Sequence, residues 1–267
     1  MNELLLSEVA SDEKNLLQSF VLIEEFIFET SVDNLQKSLQ AIIEQCALAI
    51  EEIDEPLQKA EQLINELYVE QLFLETQRAF WPVLGYRLCP AIDYRVMAPV
   101  LKAAVLCHII EACGFSCDLV FVPEKIMVRI ECDEVYAIIF DPVTGESLNW
   151  QELDNRMDEL GGDPSEYNLP AMETKAVVLE YLSHLKNALI RELAFDKALK
   201  SVDVLLALRP DDPFERRDRG FLLHQLDCFR VAYDDYRYFV EHCPKDPAAQ
   251  LLKLQLDKIN IAETVLH

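Results

Sequence analysis

Apolar and polar positions follow three successive rhythms along the chain. In NLLQSFVLIEEFIF (15–28), VDNLQKSLQAIIEQCALAI (32–50) and PLQKAEQLINELYVEQLF (56–73), apolar residues recur three and four apart. That spacing predicts three amphipathic helices with acidic outer faces. Ser31 or Asp33 is placed to cap the second. Pro56 suits the first turn of the third, with Asp54 and Glu55 beside its positive dipole end. WPVLGYRLCPAIDYR (81–95) holds two prolines and a glycine and reads as an irregular connection. MAPVLKAAVLCHIIEACGF (97–115) predicts a buried helix, with Pro99 in its first turn and Gly114 just past its end. The period then shortens. SCDLVFVP, KIMVRIEC and VYAIIF predict three strands, the last two separated by an acidic turn at Asp133-Glu134, followed by a turn at Asp141-Pro-Val-Thr-Gly. A short helix is expected around 150–160, and GGDPSEYNLPAMET (161–174) reads as a linker.

The last hundred residues repeat themselves. RPDDP (209–213) and CPKDP (243–247) stand 34 apart, and at the same offset Ala198 matches Ala232, Val202 Tyr236, Leu205 Phe239 and Leu189 Leu223. A small residue at a helix crossing and a proline closing each unit recur at the tetratricopeptide period. The expected units are helix pairs over 179–212 and 213–246, with a capping helix over 248–263. The domains expected are therefore 1–165, a helical layer with an α+β core; 166–174, a linker; and 175–267, the repeats. The fold class is mainly α with a small antiparallel sheet.

Composition narrows the function. The formal charge of −24 is concentrated in residues 1–166, which hold 32 acidic and 10 basic residues, against 16 and 14 in the remainder. Like charge repels phosphates, so neither nucleic acid nor an anionic membrane is expected as a direct partner. The apolar runs are short and carry charge, and MNELLLSEVASDEK has no basic region or small-residue cleavage site. A cytoplasmic chain without transmembrane helices is expected. Six glycines form no phosphate-binding loop, so no cofactor is expected. The eight cysteines lack a CxxC pair and read as reduced, mostly buried thiols. Cys107, His108, Cys113 and Cys117 cluster in sequence, but Cys107 and His108 on one helix point roughly 100° apart, and no metal site is expected.

RVMAPVLKAAVLCHIIEACGF, VPEKIMVRIE with IIFDPVTGESL, and DDPFERRDRGFLLHQLDC together resemble the bacterial SirB family over nearly the whole chain. That resemblance implies a transglutaminase-like (papain-like) domain joined to tetratricopeptide-like repeats. Active members of the superfamily carry a cysteine opening the core helix, a histidine at one strand start, and an aspartate at the next strand end. Carried over residue by residue, the nucleophile position falls on Pro99, the histidine position on Lys125, and only Asp141 keeps its residue. A thiolate needs a neighbouring base, and the base a carboxylate to orient it. Two of the three members are absent, so a degenerate domain without enzymatic activity is expected. The alternative is a cysteine hydrolase with a displaced nucleophile, Cys89 or Cys107. The repeat groove positions carried over are Asn187, Arg191, Arg217, Phe221 and His224, suited to a carboxylate or acidic peptide. The groove equally suits docking of the chain's own acidic N-terminal part. Asp218 and Arg219 are placed for an ion pair at the unit interface. The resulting expectation is a protein-interaction or regulatory protein with an unidentified protein or peptide partner.

Overall fold

The structure, a computed structural model, describes residues 16–31, 34–122, 125–149, 151–153 and 169–254, with Val9, Asn155 and Leu256. Two compact units divide the chain between Tyr181 and Leu182.

In the first unit, α1 (Leu16–Phe28), α2 (Leu35–Ile50) and α3 (Pro56–Asn65) follow the predicted apolar spacing. Glu55 caps α3, its carboxylate accepting from the backbone N–H groups of Leu57 and Gln58, with Pro56 where no N–H is needed. The cap foreseen for α2 differs. Asn34 stands at its N-cap and makes no side-chain capping bond, while Asp33 lies outside the described residues. The third helix widens into a π turn at Glu66–Glu70 and then stops, so Leu72 and Phe73 lie outside it.

Residues 81–95 are more regular than their two prolines predict. They contain a 3₁₀ turn at Val83–Tyr86 and a short helix α4 (Leu88–Tyr94). Pro90 falls in the first turn of α4, where its missing N–H is harmless. The N–H of Leu88 is satisfied by the buried Glu24 carboxylate from α1, which also accepts from Arg87.

Helix α5 (Pro99–Ala112) is the core element, with ten of its fourteen residues buried. It packs against β1 (Ser116–Val122) and β2 (Lys125–Glu131) and touches α1 and α2. Gly114, at φ +94, closes it as expected. Strand β3 (Ala137–Phe140) completes an antiparallel sheet of order β1-β2-β3, in which Val128 pairs with Leu119 on one side and Phe140 on the other. The acidic turn before β3 is held by the Asp133 carboxylate, which accepts from Val135 and Tyr136. Of the helix expected around 150–160, residues 151–153 and 155 are helical and the remainder lies outside the described residues. So does the first part of the expected linker. Its later part is tied to the sheet: Ala171 bridges Val120, and Met172 N–H donates to Leu119 O at 2.7 Å. Helix α6 (Thr174–Arg191) begins in this unit, where Tyr181 is fully buried, stacked on Phe20 at 4.2 Å and donating to Tyr86 O.

The second unit bears out the repeat. Helices α7 (Phe195–Leu208) and α9 (Phe229–His242) start and end 34 residues apart, and α6 and α8 (Pro213–Gln225) end 34 apart. The correspondence reaches individual backbone angles and bonds. Leu193 and Asp227 both adopt φ 60 in the turn between paired helices, with Ala194 N–H donating to Leu189 O and Cys228 N–H to Leu223 O. Asp212 and Asp246 each accept from the backbone N–H two residues on, as capping residues do. Ala198 and Ala232 are buried as the small residues of each crossing. Gly220 is the other small residue at the α8–α9 crossing, since a Cβ there would lie 2.8 Å from the Tyr236 ring. After Asp246 the chain is helical again over 247–254 and at Leu256, and the rest of the expected capping helix lies outside the described residues.

Candidate functional site

The end of β3 delivers Asp141 into a turn built around it. Its Oδ1 accepts from Val143 N–H at 2.7 Å, its carbonyl accepts from Gly145 N–H at 2.8 Å, and Gly145 takes φ +76. This is an Asx-type turn, and only glycine reaches that angle without strain. The Tyr68 ring packs against Gly145, and its hydroxyl donates to Pro142 O at 2.8 Å. Burial, and then the Asp141 charge, push that hydroxyl's pKa well up, so it serves as a donor.

The other carboxylate oxygen of Asp141 is engaged twice. Oδ2 accepts from Lys125 Nζ at 3.0 Å and from Gln77 Nε2 at 3.0 Å. Asp141 is buried, while the Lys125 side chain is 41% exposed, so the pair runs from the interior to the surface. Its net stabilisation is accordingly small, about 0–1 kcal/mol. Pro99 occupies the first position of α5 after the Ala98 N-cap. It offers no nucleophile and no backbone donor.

Lys102, one turn into α5, was not singled out by the sequence reading. It is 0% exposed. Its ammonium donates to Phe73 O and, at 3.2 Å, to Val143 O, and lies over the Tyr68 ring at 5.5 Å. Burial brings its pKa down to about 8, against the pull of Glu75 and Asp141. The chain around it runs as an alternating strap. Phe73 is buried, Leu74 exposed, the Glu75 carboxylate accepts from Met97 N–H, Thr76 is exposed, and Gln77 reaches Asp141. Glu75 N–H also donates to Val143 O. Lys102 therefore ties the start of α5, the strap and the Asp141 turn together through two backbone carbonyls. The available signal was a lysine in the apolar first half of a helix whose other polar residues, His108 and Glu111, come only near its end.

Neither alternative cysteine is placed at Asp141 by any described contact. Cys89 lies not in a loop but in the first turn of α4, half-buried, and burial together with Glu24 and Asp93 pushes its thiol pKa up. Cys107 lies buried two turns down α5, with its sulfur against Cys117. The described cysteines are free thiols. Among the described residues no group of three or more His, Cys, Asp or Glu could hold a metal, and no helix is long and apolar enough to cross a membrane.

In the second unit Phe214, Arg217, Phe221 and His224 share one face of α8 by their spacing. The Arg217 guanidinium lies over the Phe214 and Phe239 rings and pairs with Asp218 at 2.8 Å. Phe221, 38% exposed, meets Phe195 edge-on, and His224 meets Phe229 the same way. Asn187 and Arg191 are exposed one turn apart on α6. Asp218 and Arg219 do not pair with each other. Asp218 accepts from Lys186 on α6 at 2.7 Å, and Arg219 grips the buried Asp235 on α9 with two bonds of 2.7 and 2.6 Å. Adjacent helix residues point about 100° apart, so each staples a different neighbour. Lys186 also bonds both oxygens of Glu215, at 3.0 and 2.9 Å, and both groups are buried.

Comparison with known proteins matches residues 33–195 to the transglutaminase-like superfamily and residues 185–257 to the tetratricopeptide repeat. A UPF0162 protein of Vibrio cholerae is 28% identical over 90% of each chain. The UPF0162 protein YchA of Escherichia coli K12 is 31% identical over 83% of this chain and 84% of its own. Protein SirB1 of Salmonella typhimurium is 30% identical over 83% and 84%. No solved structure gives a significant match.

Proposed function

Because this chain belongs to the SirB family, a transglutaminase-like domain joined to tetratricopeptide repeats, we propose that it works as a non-enzymatic interaction or regulatory protein. The observation that carries this reading is the company Asp141 keeps. An amine and an amide, from Lys125 and Gln77, fill the oxygen that would orient a catalytic base. Lys125 presents an amine to that oxygen where the superfamily presents an imidazole. Pro99 stands at the helix start; burial pushes the thiols of Cys46, Cys89, Cys113 and Cys132 up, and the hydrogen bond with Cys107, then burial, pushes up that of Cys117, all away from the thiolate form.

The repeat segment supplies the binding role in this proposal. Tetratricopeptide repeats generally mediate protein contacts. The face of Arg217, Phe221 and His224, with Asn187 and Arg191 on α6, offers aromatic edges and cationic donors to a peptide with a carboxylate. Asp218 already holds Arg217, so an incoming carboxylate has to compete for that guanidinium.

Native labelling with a thiol-directed electrophile tests the first half. Slow, unselective modification is expected. One cysteine reacting far ahead of the others, with labelling lost on its change to alanine, would overturn the non-enzymatic reading. Partner capture by wild type and by Arg217→Glu tests the second. Selective loss of partners in the variant is expected, and identical partner sets would remove this face from the function.

A further inference from the structure

Four residues that cluster in sequence are sorted by the fold. Cys107 faces β1 from the third turn of α5, Cys117 is the second residue of β1, and their sulfurs lie 2.9 Å apart. Both are buried, each 9% exposed. Non-bonded heavy atoms ordinarily sit about 3.5–4.0 Å apart, whereas a disulfide bond is about 2.05 Å. The pair is therefore inside ordinary contact, and closing the bond needs a shift of about 0.9 Å. A shared metal does not fit this spacing. Two thiolates about 2.3 Å from a tetrahedral metal lie roughly 3.8 Å apart. No third ligand joins them among the described residues.

Rigid elements set this approach. The turn between α5 and β1 is fixed by Cys113 N–H to Ile109 O, Gly114 N–H to Glu111 O and Phe115 N–H to Ile110 O. Cys117 is held in the ladder opposite Ile130. Groups presented by a helix and a strand keep their geometry better than groups on loops. We infer that Cys107 and Cys117 are a modification site, a dithiol that a small peroxide converts to a reversible disulfide stapling α5 to β1.

The chemistry closes without another reactant. One sulfur, as thiolate, attacks a peroxide oxygen; the O–O bond breaks, and hydroxide leaves as water with the thiol proton. The sulfenic acid so formed is attacked by the second sulfur; the S–O bond breaks, a second water leaves and the S–S bond forms. Two thiols and one hydrogen peroxide give one disulfide and two waters, with two electrons passing from sulfur to oxygen. The bond to Cys107, burial and the carboxylates of Glu111 and Asp118 push the Cys117 thiol up. The pair thus responds to sustained exposure and admits only an oxidant small enough to reach a buried sulfur.

The test exposes the full chain to hydrogen peroxide, denatures it, alkylates the remaining thiols and weighs the monomer. The alkylated count is expected to fall from eight to six. Cleavage after Glu111 separates Cys107 from Cys117, so the two fragments remain joined until dithiothreitol is added. The joint persists in Cys113→Ser and is lost in Cys107→Ser and in Cys117→Ser. The oxidised wild type also unfolds at a higher denaturant midpoint than the reduced. Eight alkylated cysteines after peroxide, stable oxygen adducts on Cys107 or Cys117, or a joint that disappears in Cys113→Ser would each overturn the inference.

Discussion

Lys102→Met gives the sharpest test of how the first unit is held. An ordinary lysine titrates near 10.5, and Lys102 near 8. Between those values the unfolded chain binds a proton that the folded chain has released, so stability rises with pH across that window. The favourable contribution is complete above 10.5 and is lost as pH falls through 8. The shift corresponds to about 3 kcal/mol, of which roughly 2.5 is recovered between pH 7 and 10. The neutral amine still has N–H groups for Phe73 O and Val143 O, so both carbonyls stay satisfied after titration. Methionine fills similar volume without charge or donors. It removes the buried-charge penalty and leaves the Phe73 carbonyl without the lysine donor, which costs about 1–3 kcal/mol. The two effects nearly cancel at pH 7, and the variant is expected within about 2 kcal/mol of wild type there. At pH 10 the variant falls a further 2 to 3 kcal/mol, roughly, behind wild type. Urea unfolding of both proteins at pH 7, 8, 9 and 10 measures the difference. Taking that difference also removes the opposite trend from Tyr68, Tyr181 and Cys117. Their raised pKa values contribute stability present below the ordinary tyrosine and thiol range and lost above it. Parallel pH profiles for the two proteins would refute the buried, depressed lysine.

Three further substitutions probe individual contacts. Lys186→Met strips the buried Glu215 of both its close bonds, leaving only the Arg209 guanidinium at 3.8 Å, and is expected to lower stability by about 3–5 kcal/mol, with Lys186→Met combined with Glu215→Leu recovering most of it in urea titrations. Gly220→Ala drives a methyl group against the Tyr236 ring across the α8–α9 crossing and is expected to cost about 1–3 kcal/mol, read as a lower thermal midpoint. Gly145→Ala combines a left-handed backbone angle with a 2.8 Å approach to the Tyr68 ring, so near-ultraviolet circular dichroism should report a displaced tyrosine as well as lost stability.

Local patterns carried the parts of the fold that local physics decides. The 34-residue repeat was legible because each unit reuses the same capping aspartate, small crossing residue and closing proline at fixed offsets. The strand pair followed from alternation and the turn residues, whereas the pairing of Lys125 with Asp141 was implied by the family resemblance alone. Long-range satisfaction was not legible. Helix α4 survives two nearby prolines because Glu24, 64 residues earlier, supplies the acceptor for its first N–H. Lys102 is tolerated because carbonyls 29 and 41 residues away converge on its amine. Neither partner has a signature at its own position. For RDRG the residues were legible as ion-pairing but their partners were not, since helical phase sends Asp218 and Arg219 to different neighbours.

Tyr181 sets a limit on how the chain can be cut. Its ring and hydroxyl complete the packing around Phe20 and Tyr86, yet it sits in the middle of a helix that continues into the repeats. An N-terminal fragment ending in the proline- and glycine-containing stretch before α6 would lack this side chain and leave a hole the size of a tyrosine beside Phe20. A fragment meant to fold by itself has to extend past Tyr181. Proteolytic dissection should accordingly release a stable N-terminal piece only when the nick falls on the far side of that residue.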